Sequence, residues 1–571
     1  MTTEQNPDSS QVNQSGNFGI GVMTGGTIEA GAVVAGQYNV IHQPKVEPKP
    51  IPSNVRQGSK NYVEREEDAL TEIREKLEVD QGVIVCAVEG MGGVGKTELA
   101  LQYAAKYKAD YEAQYFLSLR EMGLAQAVVT LANPFIDLPE AMQSAPLNEQ
   151  AEWYWKNWLP ETGKLLLILD DVPNADSIPD LAMPFDPRMQ VLITTRERDL
   201  NLGFESLSLK VLSEEKTLEL LQKIVGQGKV EKELATVKEI CETVGYLPLG
   251  LELVGEYLVK NRHLNFAKLQ ERLTLADEAL SQDRSHKFYG YRGVAAAIQL
   301  SWDDLSGGSQ RVAMWLGLFA PVEILWDLAA DLAKNADITA AELDGARGEL
   351  DRLHLISPTD EECAFYEIHS LVREFMGVKL SEAMENQQFR QGFVTGLLDI
   401  AKSMPQAPTL EKIAAVKPAI PHLELLSREM LGDIENPGED SNLGWAFGGI
   451  ARFYEGQGLY ALAEYPWQKC VEKTREILGD RHPDVAISMN NLAALYESQG
   501  KYEAAEPLYR QALEILMSAV GENHPHTQIV MNSLLMLKLH IATGLDEKGL
   551  EQMMQDNPDA LRQLFQQIMS E

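Results

Sequence analysis

No apolar run in this 571-residue chain reaches the length of about eighteen residues that crosses a bilayer. The opening MTTEQNPDSS has neither the basic start nor the apolar stretch of a secretory leader, so the sequence predicts a soluble, cytoplasmic chain with no membrane span. Cysteine is scarce. Cys86, Cys241, Cys363 and Cys470 stand far apart without metal-ligand spacing, which argues against a disulfide framework and for reduced thiols. Positive charge is in deficit as well: 50 Lys and Arg against 85 Asp and Glu leave a formal charge of −35. Such a surface repels phosphate backbones and anionic headgroups, and no basic patch offsets it, so no nucleic-acid partner is expected.

What is present is ordinary globular material, 44% hydrophobic and 24% charged, at a length that calls for several domains. The first 58 residues differ from the rest. A Gly/Val/Ile stretch with one charge, GNFGIGVMTGGTIEAGAVVAGQYNVI (16–41), runs into a proline-spaced linker of the kind that stays extended between modules. From Tyr62 to about residue 225, the apolar runs GVIVCAV, AQYFLSL, KLLLILDD and MQVLITT alternate with amphipathic helical segments. That alternation predicts a parallel sheet covered on both faces. From about residue 236 the apolar spacing is helical almost throughout, interrupted by a hairpin-like ISPTDEECAFYEIHS.

The first strand ends in glycines. Gly90-Met91-Gly92-Gly93-Val94-Gly95-Lys96-Thr97 fits G-x-x-x-x-G-K-[ST] between a predicted strand and the helix TELALQYAAKY. Glycines let backbone N–H groups curl around a β-phosphate, and the helix N-terminus adds its positive end. Lys96 would neutralise the β- and γ-phosphates and Thr97 would offer a hydroxyl to Mg²⁺, with Glu98 next on the same helix. The apolar LLLILDD (165–171) delivers Asp170, a candidate for the Mg²⁺ shell, and Asp171, a candidate to orient a water. VLITTRE (191–197) ends in Thr194, Thr195 and Arg196, an arginine placed to sense a γ-phosphate. The expected cofactors are ATP or ADP with Mg²⁺, held in part by Thr97 and Asp170, and the expected activity is a weak ATPase.

Over about residues 62–376 these motifs together resemble the NB-ARC group of STAND signalling NTPases, which includes plant disease-resistance proteins and apoptosome scaffolds. YVEREED (62–68) is similar to the family's hhGRE motif, which implies that Arg65 lies near the nucleotide, although Glu64 stands in place of glycine. SLKVLSEEKTLELL (208–221) looks like the segment closing the nucleotide domain. GYLPLGLELVGEYL (245–258) carries G-x-L-P-L, which implies that Pro248 packs near the adenine and ribose. AIQLSWDDLSGGSQRVAMWLGLFA (297–320) resembles the start of the winged-helix domain, and YEIHSLVREFM (366–376) resembles its MHD motif. The resemblance implies that His369 contacts the β-phosphate of ADP; Ile368 in place of methionine and Ser370 in place of aspartate imply a weaker lock.

The C-terminal part repeats itself. YEGQGLYALAEYPWQKC is echoed by YESQGKYEAAEPLYRQA, with Tyr454 and Tyr496, and Gly458 and Gly500, each 42 apart, and a decayed copy runs through 541–555. This period resembles kinesin-light-chain-type tetratricopeptide repeats, whose concave face takes a protein or peptide. The predicted architecture is a Gly-rich segment and linker (1–58), an α/β P-loop NTPase domain (59–235), a helical ARC-type domain (236–290), a winged-helix domain (291–385), a helical linker (386–440) and an α-solenoid of repeats (441–571). The function this implies is a nucleotide-dependent switch that senses a ligand on the repeats and forms a homo-oligomer. Its output segment is 16–41, where Gly36-Gln37-Tyr38-Asn39 resembles the G-x-x-N of amyloid signalling motifs. An effector sharing that segment would be the next partner. Two other readings stay open for 16–41, a disordered glycine-rich tail and a small β-arch. The alternative for the whole chain is a STAND-type regulator or scaffold ATPase in steady turnover.

Overall fold

The computed structural model describes residues 51–65, 68–80, 82–87, 92–178, 186–197, 200, 202–282, 291–360, 362–545, 549–550, 552–553 and 564. Gly90 of the P-loop, the 16–41 stretch and part of the decayed repeat at 541–555 lie outside the described residues. Five parallel strands, β1 (Gly82–Ala87), β2 (Ala113–Ser118), β3 (Leu165–Val172), β4 (Met189–Thr195) and β5 (Glu205–Leu209), form a sheet in the order β2-β3-β4-β1-β5. The run Leu165–Leu169 is fully buried on both faces, as a central parallel strand with helices above and below requires. Each such side chain contributes about 1.5–3 kcal/mol by leaving water. β5 is absent from the sequence reading. Its ESLSL carries only two buried positions, Leu207 and Leu209, and closes the sheet edge by pairing with β1.

The described end of the linker is tied down. Asn54 Nδ2 donates to the Phe116 carbonyl at 2.8 Å and Asn54 Oδ1 accepts from Phe116 N at 2.7 Å, so the segment lies along the outer edge of β2. Ser53 Oγ accepts from Gln114 N at 2.9 Å on the same edge. Ile51 is buried, and the chain then passes Arg56, which pairs with Glu367 and lies 3.9 Å from Glu323.

Beyond the sheet, helices Glu214–Val225, Leu234–Thr243, Pro248–Lys260 and Phe266–Gln282 pack together, with Pro248 at the first turn, where its missing N–H costs nothing. Helices Arg292–Asp303 and Gly307–Leu316 precede a three-stranded antiparallel wing of β6 (Ile324–Leu325), β7 (Ser357–Pro358) and β8 (Phe365–Glu367), ordered β6-β8-β7, with helix Ala340–Arg352 inserted between β6 and β7. The wing contains the predicted hairpin. It leads straight into the helix Ser370–Glu382, whose Phe375 packs edge-on against Trp302 at 5.7 Å.

The described chain divides into two compact units, one ending at Asp480 and including Ser498–Gly500, the other made of Arg481–Glu497 and the residues from Lys501 onward. In the first, helices Asn442–Glu455 and Tyr460–Leu478 form a pair in which Trp467 Nε1 donates to Glu455 Oε1 at 2.8 Å. In the second, helices Pro483–Ser498 and Tyr502–Ala519 repeat the device 42 residues later, with Tyr509 Oη donating to Glu497 Oε2 at 2.9 Å, and Pro525–Thr543 follows. Gly458 and Gly500 both adopt φ +72°, and Gly479 and Gly521 adopt +88° and +87°, conformations that favour glycine, so the 42-residue period is present in the backbone. Among the described residues no helix is long and apolar enough to cross a membrane.

Candidate nucleotide site

The carboxyl ends of β1, β3 and β4 converge where an open parallel sheet takes its ligands. After β1 the backbone turns through Gly93 at φ +76° and Gly95 at φ +94°, and Gly95 caps the helix Lys96–Lys106 without a side-chain bond. The first N–H groups of that helix therefore have no side-chain cap, the arrangement that favours an anion. A Cβ on Gly92 would stand 3.3 Å from Leu371 Cδ2, one on Gly93 3.3 Å from Leu371 Cδ1, and one on Gly95 3.6 Å from Arg65 Nη2 and 3.9 Å from Pro248 Cγ. The loop is thus a backbone cradle roofed by Leu371, Pro248 and Arg65, and side chains would fill it.

Lys96 is 9% exposed, and burial together with Arg196 pulls its ammonium below the ordinary value. Thr97 Oγ1 donates to Asp170 Oδ1 at 2.8 Å, and Thr194 Oγ1 donates to the same oxygen at 2.6 Å. Burial raises the Asp170 carboxyl while the Thr194 and Thr97 hydroxyls oppose it. A cation placed there would remove the cost of that buried charge. At Asp171 the pairing of β3 with β4 slips between Leu169 and Val172, and Asp171 itself takes φ +52°. The irregularity turns its carboxylate toward two guanidinium groups: Arg196 Nε is 3.4 Å from Oδ1 and Arg120 Nε is 3.6 Å from Oδ2.

His369 caps the helix Ser370–Glu382, with Nδ1 accepting from Leu371 N at 3.2 Å. The residue is exposed to solvent, with Arg196, Arg120, Asp171 and Lys96 among the charges that act on its ring. Desolvation, then the charges of Arg196 and Arg120, push its pKa down to about 4, so the imidazole is neutral at pH 7. Arg65 uses its guanidinium on backbone, donating to the Val94 carbonyl at 2.6 Å and the Lys210 carbonyl at 2.5 Å, which ties the segment before the sheet to the P-loop. Glu98 points away from the phosphate cradle: its Oε1 accepts from Ser59 N at 2.7 Å and from Gln102 Nε2 at 2.8 Å.

The structure thus gathers Gly92, Gly93, Val94, Gly95, Lys96, Thr97, Asp170, Asp171, Arg196, Arg65, Pro248 and His369 around one cleft, and turns Glu98 toward the linker. Leu371 and Arg120 are missing from the sequence reading. Arg120 had a legible signal, since it follows the apolar strand AQYFLSL as Arg196 follows VLITT. Leu371 had none, being one apolar residue among many on its helix. The residues fit a nucleoside di- or triphosphate with a divalent cation: uncapped N–H groups, a cradle free of Cβ atoms, a buried lysine and a Thr–Asp pair.

Residues 66–231 match the NB-ARC domain and residues 442–518 match the tetratricopeptide repeat. The Regulatory protein AfsR of Streptomyces griseus is 28% identical over 53% of this chain and 31% of its own length. A nucleotide-binding leucine-rich repeat (NLR)-like protein of Hyaloscypha variabilis is 25% identical over 71% of this chain and 42% of its own. Both matches span less than half the length of those relatives. Among solved structures, a Signal Transduction ATPase with Numerous Domains (STAND) protein with a tetratricopeptide repeat sensor, PH0952 from Pyrococcus horikoshii, matches over 91% of this chain and 80% of that one, at 18% identity and a TM-score of 0.41.

Proposed function

We propose that this chain, which carries an NB-ARC domain followed by tetratricopeptide repeats, is a cytoplasmic signalling switch set by ADP and ATP. One observation carries the reading: Leu371, more than 270 positions beyond the P-loop, lies over Gly92 and Gly93 beside His369. A domain that roofs the phosphate cradle has to move for the nucleotide to exchange, which makes the nucleotide state and the domain arrangement one equilibrium.

In this reading the helix N-terminus and Lys96 would hold the β-phosphate, Thr97 and Asp170 would hold Mg²⁺, and neutral His369, whose Nδ1 accepts from Leu371 N, would donate from Nε2 to ADP. The metal supplies neutralisation of phosphate charge. Asp171 orients a water and Arg196 stabilises charge on the third phosphate, so slow hydrolysis returns the switch to rest. A protein or peptide on the repeats opens the closed arrangement, ATP replaces ADP, and opened chains form a homo-oligomer. Assembly brings copies of 16–41 together at effective concentrations of about millimolar, at which short β-prone segments nucleate cross-β, in defence or regulated cell death. An effector with the same segment would be templated by it.

The second reading is a regulator or scaffold ATPase in steady turnover with no amyloid output. It draws on the AfsR relatives, which are named regulatory proteins. One experiment separates the two. Nucleotide released from denatured, freshly purified protein is identified, and ATP turnover is followed with mass by light scattering. A switch carries stoichiometric ADP, gives a single slow turnover and gains mass with ATP; continuous turnover at constant mass rejects it. Thioflavin-positive fibres from a 16–41 peptide, and loss of the cellular response on deleting 1–58, test the output.

A further inference from the structure

We propose that Arg120 is a second arginine that distinguishes a nucleoside triphosphate from a diphosphate, acting with Arg196 on the third phosphate; the proposal rests on the nucleotide reading above. Arg120 stands two residues beyond β2, and β2 pairs with β3 so that Ser118 lies opposite Asp170. Leu119 N donates to the Asp170 carbonyl at 2.9 Å, which fixes the backbone of the next residue at the carboxyl edge of the sheet beside Asp171. The side chain reaches inward, with Nε 3.6 Å from Asp171 Oδ2, and it is close enough to depress the His369 pKa.

The charge balance shows what is missing. Arg120 and Arg196 share the single carboxylate of Asp171, one on each oxygen. Among the described residues the other carboxylate paired with Arg120 is Glu121, at 4.0 Å, and it already accepts from Arg428. Lys96 adds a third cation to the cleft, and Asp170 is occupied by the hydroxyls of Thr97 and Thr194. Among the described residues the cleft has a cation in excess where Arg120 and Arg196 flank Asp171. In this proposal a diphosphate held by the P-loop leaves both guanidinium groups to Asp171, and a third phosphate adds its negative charge beside them. Asp171 therefore acts as a stand-in anion that keeps both guanidinium groups aligned until a γ-phosphate competes for them. The same carboxylate sets a threshold, because the phosphate must draw the arginines from an existing partner.

The test uses full-length protein stripped of nucleotide and titrated, in Mg²⁺, with ADP and with a non-hydrolysable ATP analogue. Binding is read as affinity and as the rise in melting temperature each nucleotide produces. Arg120→Gln keeps the first three carbons of this one-third-exposed side chain and removes its charge, and Arg120→Lys restores a charge without the planar guanidinium fork. Weakening of the ATP analogue by about tenfold in Arg120→Gln, ADP affinity held within about twofold, and partial recovery in Arg120→Lys support the proposal. Equal weakening of both nucleotides would assign Arg120 a structural role and overturn it, as would no change in either. If the unaltered protein binds neither nucleotide, the reading beneath it fails and this one falls with it.

Discussion

Arg196 and Ser370, 174 positions apart in the chain, meet with Nη2 3.4 Å from Oγ, so the end of β4 touches the first residue of the helix that follows His369. The contact runs from a guanidinium to a neutral hydroxyl, weaker than one to a carboxylate. The tie can therefore be tuned in both directions. Ser370→Asp should tighten it and slow release of a fluorescent ADP roughly two- to tenfold, the modest end because Arg196 is half exposed. His369→Ala should loosen the closed arrangement, raise the ATP to ADP ratio in bound nucleotide and shift the protein to higher mass in size-exclusion chromatography. An unchanged ratio and mass would show that Ile368 and Ser370 already leave the lock open.

Lys96→Ala is expected to lose bound nucleotide on purification while the helical repeats melt as in the unaltered protein. Asp170→Asn should retain ADP in the absence of Mg²⁺ but lose Mg²⁺-dependent hydrolysis. Nucleotide analysis of the denatured proteins and phosphate release check both, and full ADP occupancy in Lys96→Ala would remove the lysine from the site.

Glu252 on the helix Pro248–Lys260 has its pKa pushed up to about 7, first by burial and then by Glu98, while Ser59 donates to it at 3.5 Å. Because the folded value lies above the unfolded one of about 4.5, the folded protein holds a proton that the unfolded chain has released. The stability this contributes is full below about pH 4.5 and is lost as pH rises through about 7. Glu252→Gln should remove that loss. Its melting temperature should exceed that of the unaltered protein at pH 8 by on the order of a few degrees, with little gain at pH 5. A gain of equal size at both values would point to packing instead of ionisation.

Two glycine replacements should act with opposite sign. A Cβ at Gly293 would stand 1.7 Å from the Thr243 carbonyl oxygen, where helix Arg292–Asp303 meets helix Leu234–Thr243, so Gly293→Ala should destabilise by about 1–3 kcal/mol. Gly348, inside helix Ala340–Arg352, has nothing within 4 Å of its Cβ position, and Gly348→Ala should stabilise by about 0.5–1 kcal/mol. Urea denaturation of the two variants checks both values.

Arg56 joins the linker to the wing through Glu367 and Glu323, and its neighbours hold the edge of β2. Arg56→Ala should expose residues 51–62 to limited proteolysis several-fold faster, with the sheet intact. Double replacement of Glu323 and Glu367 by Gln should reproduce the effect, and resistance in both would mean that Asn54 and Ser53 suffice.

The strands β1 to β4 were legible because each is a continuous apolar run, and burial on both faces of a parallel strand is a demand the local sequence has to meet by itself. The P-loop was legible for a similar reason. A turn through φ +76° and +94° calls for glycine at Gly93 and Gly95 whatever the rest of the chain does. The 42-residue repeat appears in the sequence through tyrosines and glycines at that interval, and the glycines take the same backbone conformation in each helix pair. Other features had no local signature. β5 is a strand because β1 offers it an edge, and its two buried leucines could as well have belonged to a loop. Glu98 follows the P-loop threonine in sequence, yet the linker claims its carboxylate through Ser59. The roof over Gly92 and Gly93, the contact of Arg196 with Ser370 and the sharing of Asp171 between Arg120 and Arg196 depend on how separate elements pack. Sequence periodicity determines which face of an element is apolar, whereas the placement of polar side chains from distant elements around one cleft is decided only when those faces have been buried against each other.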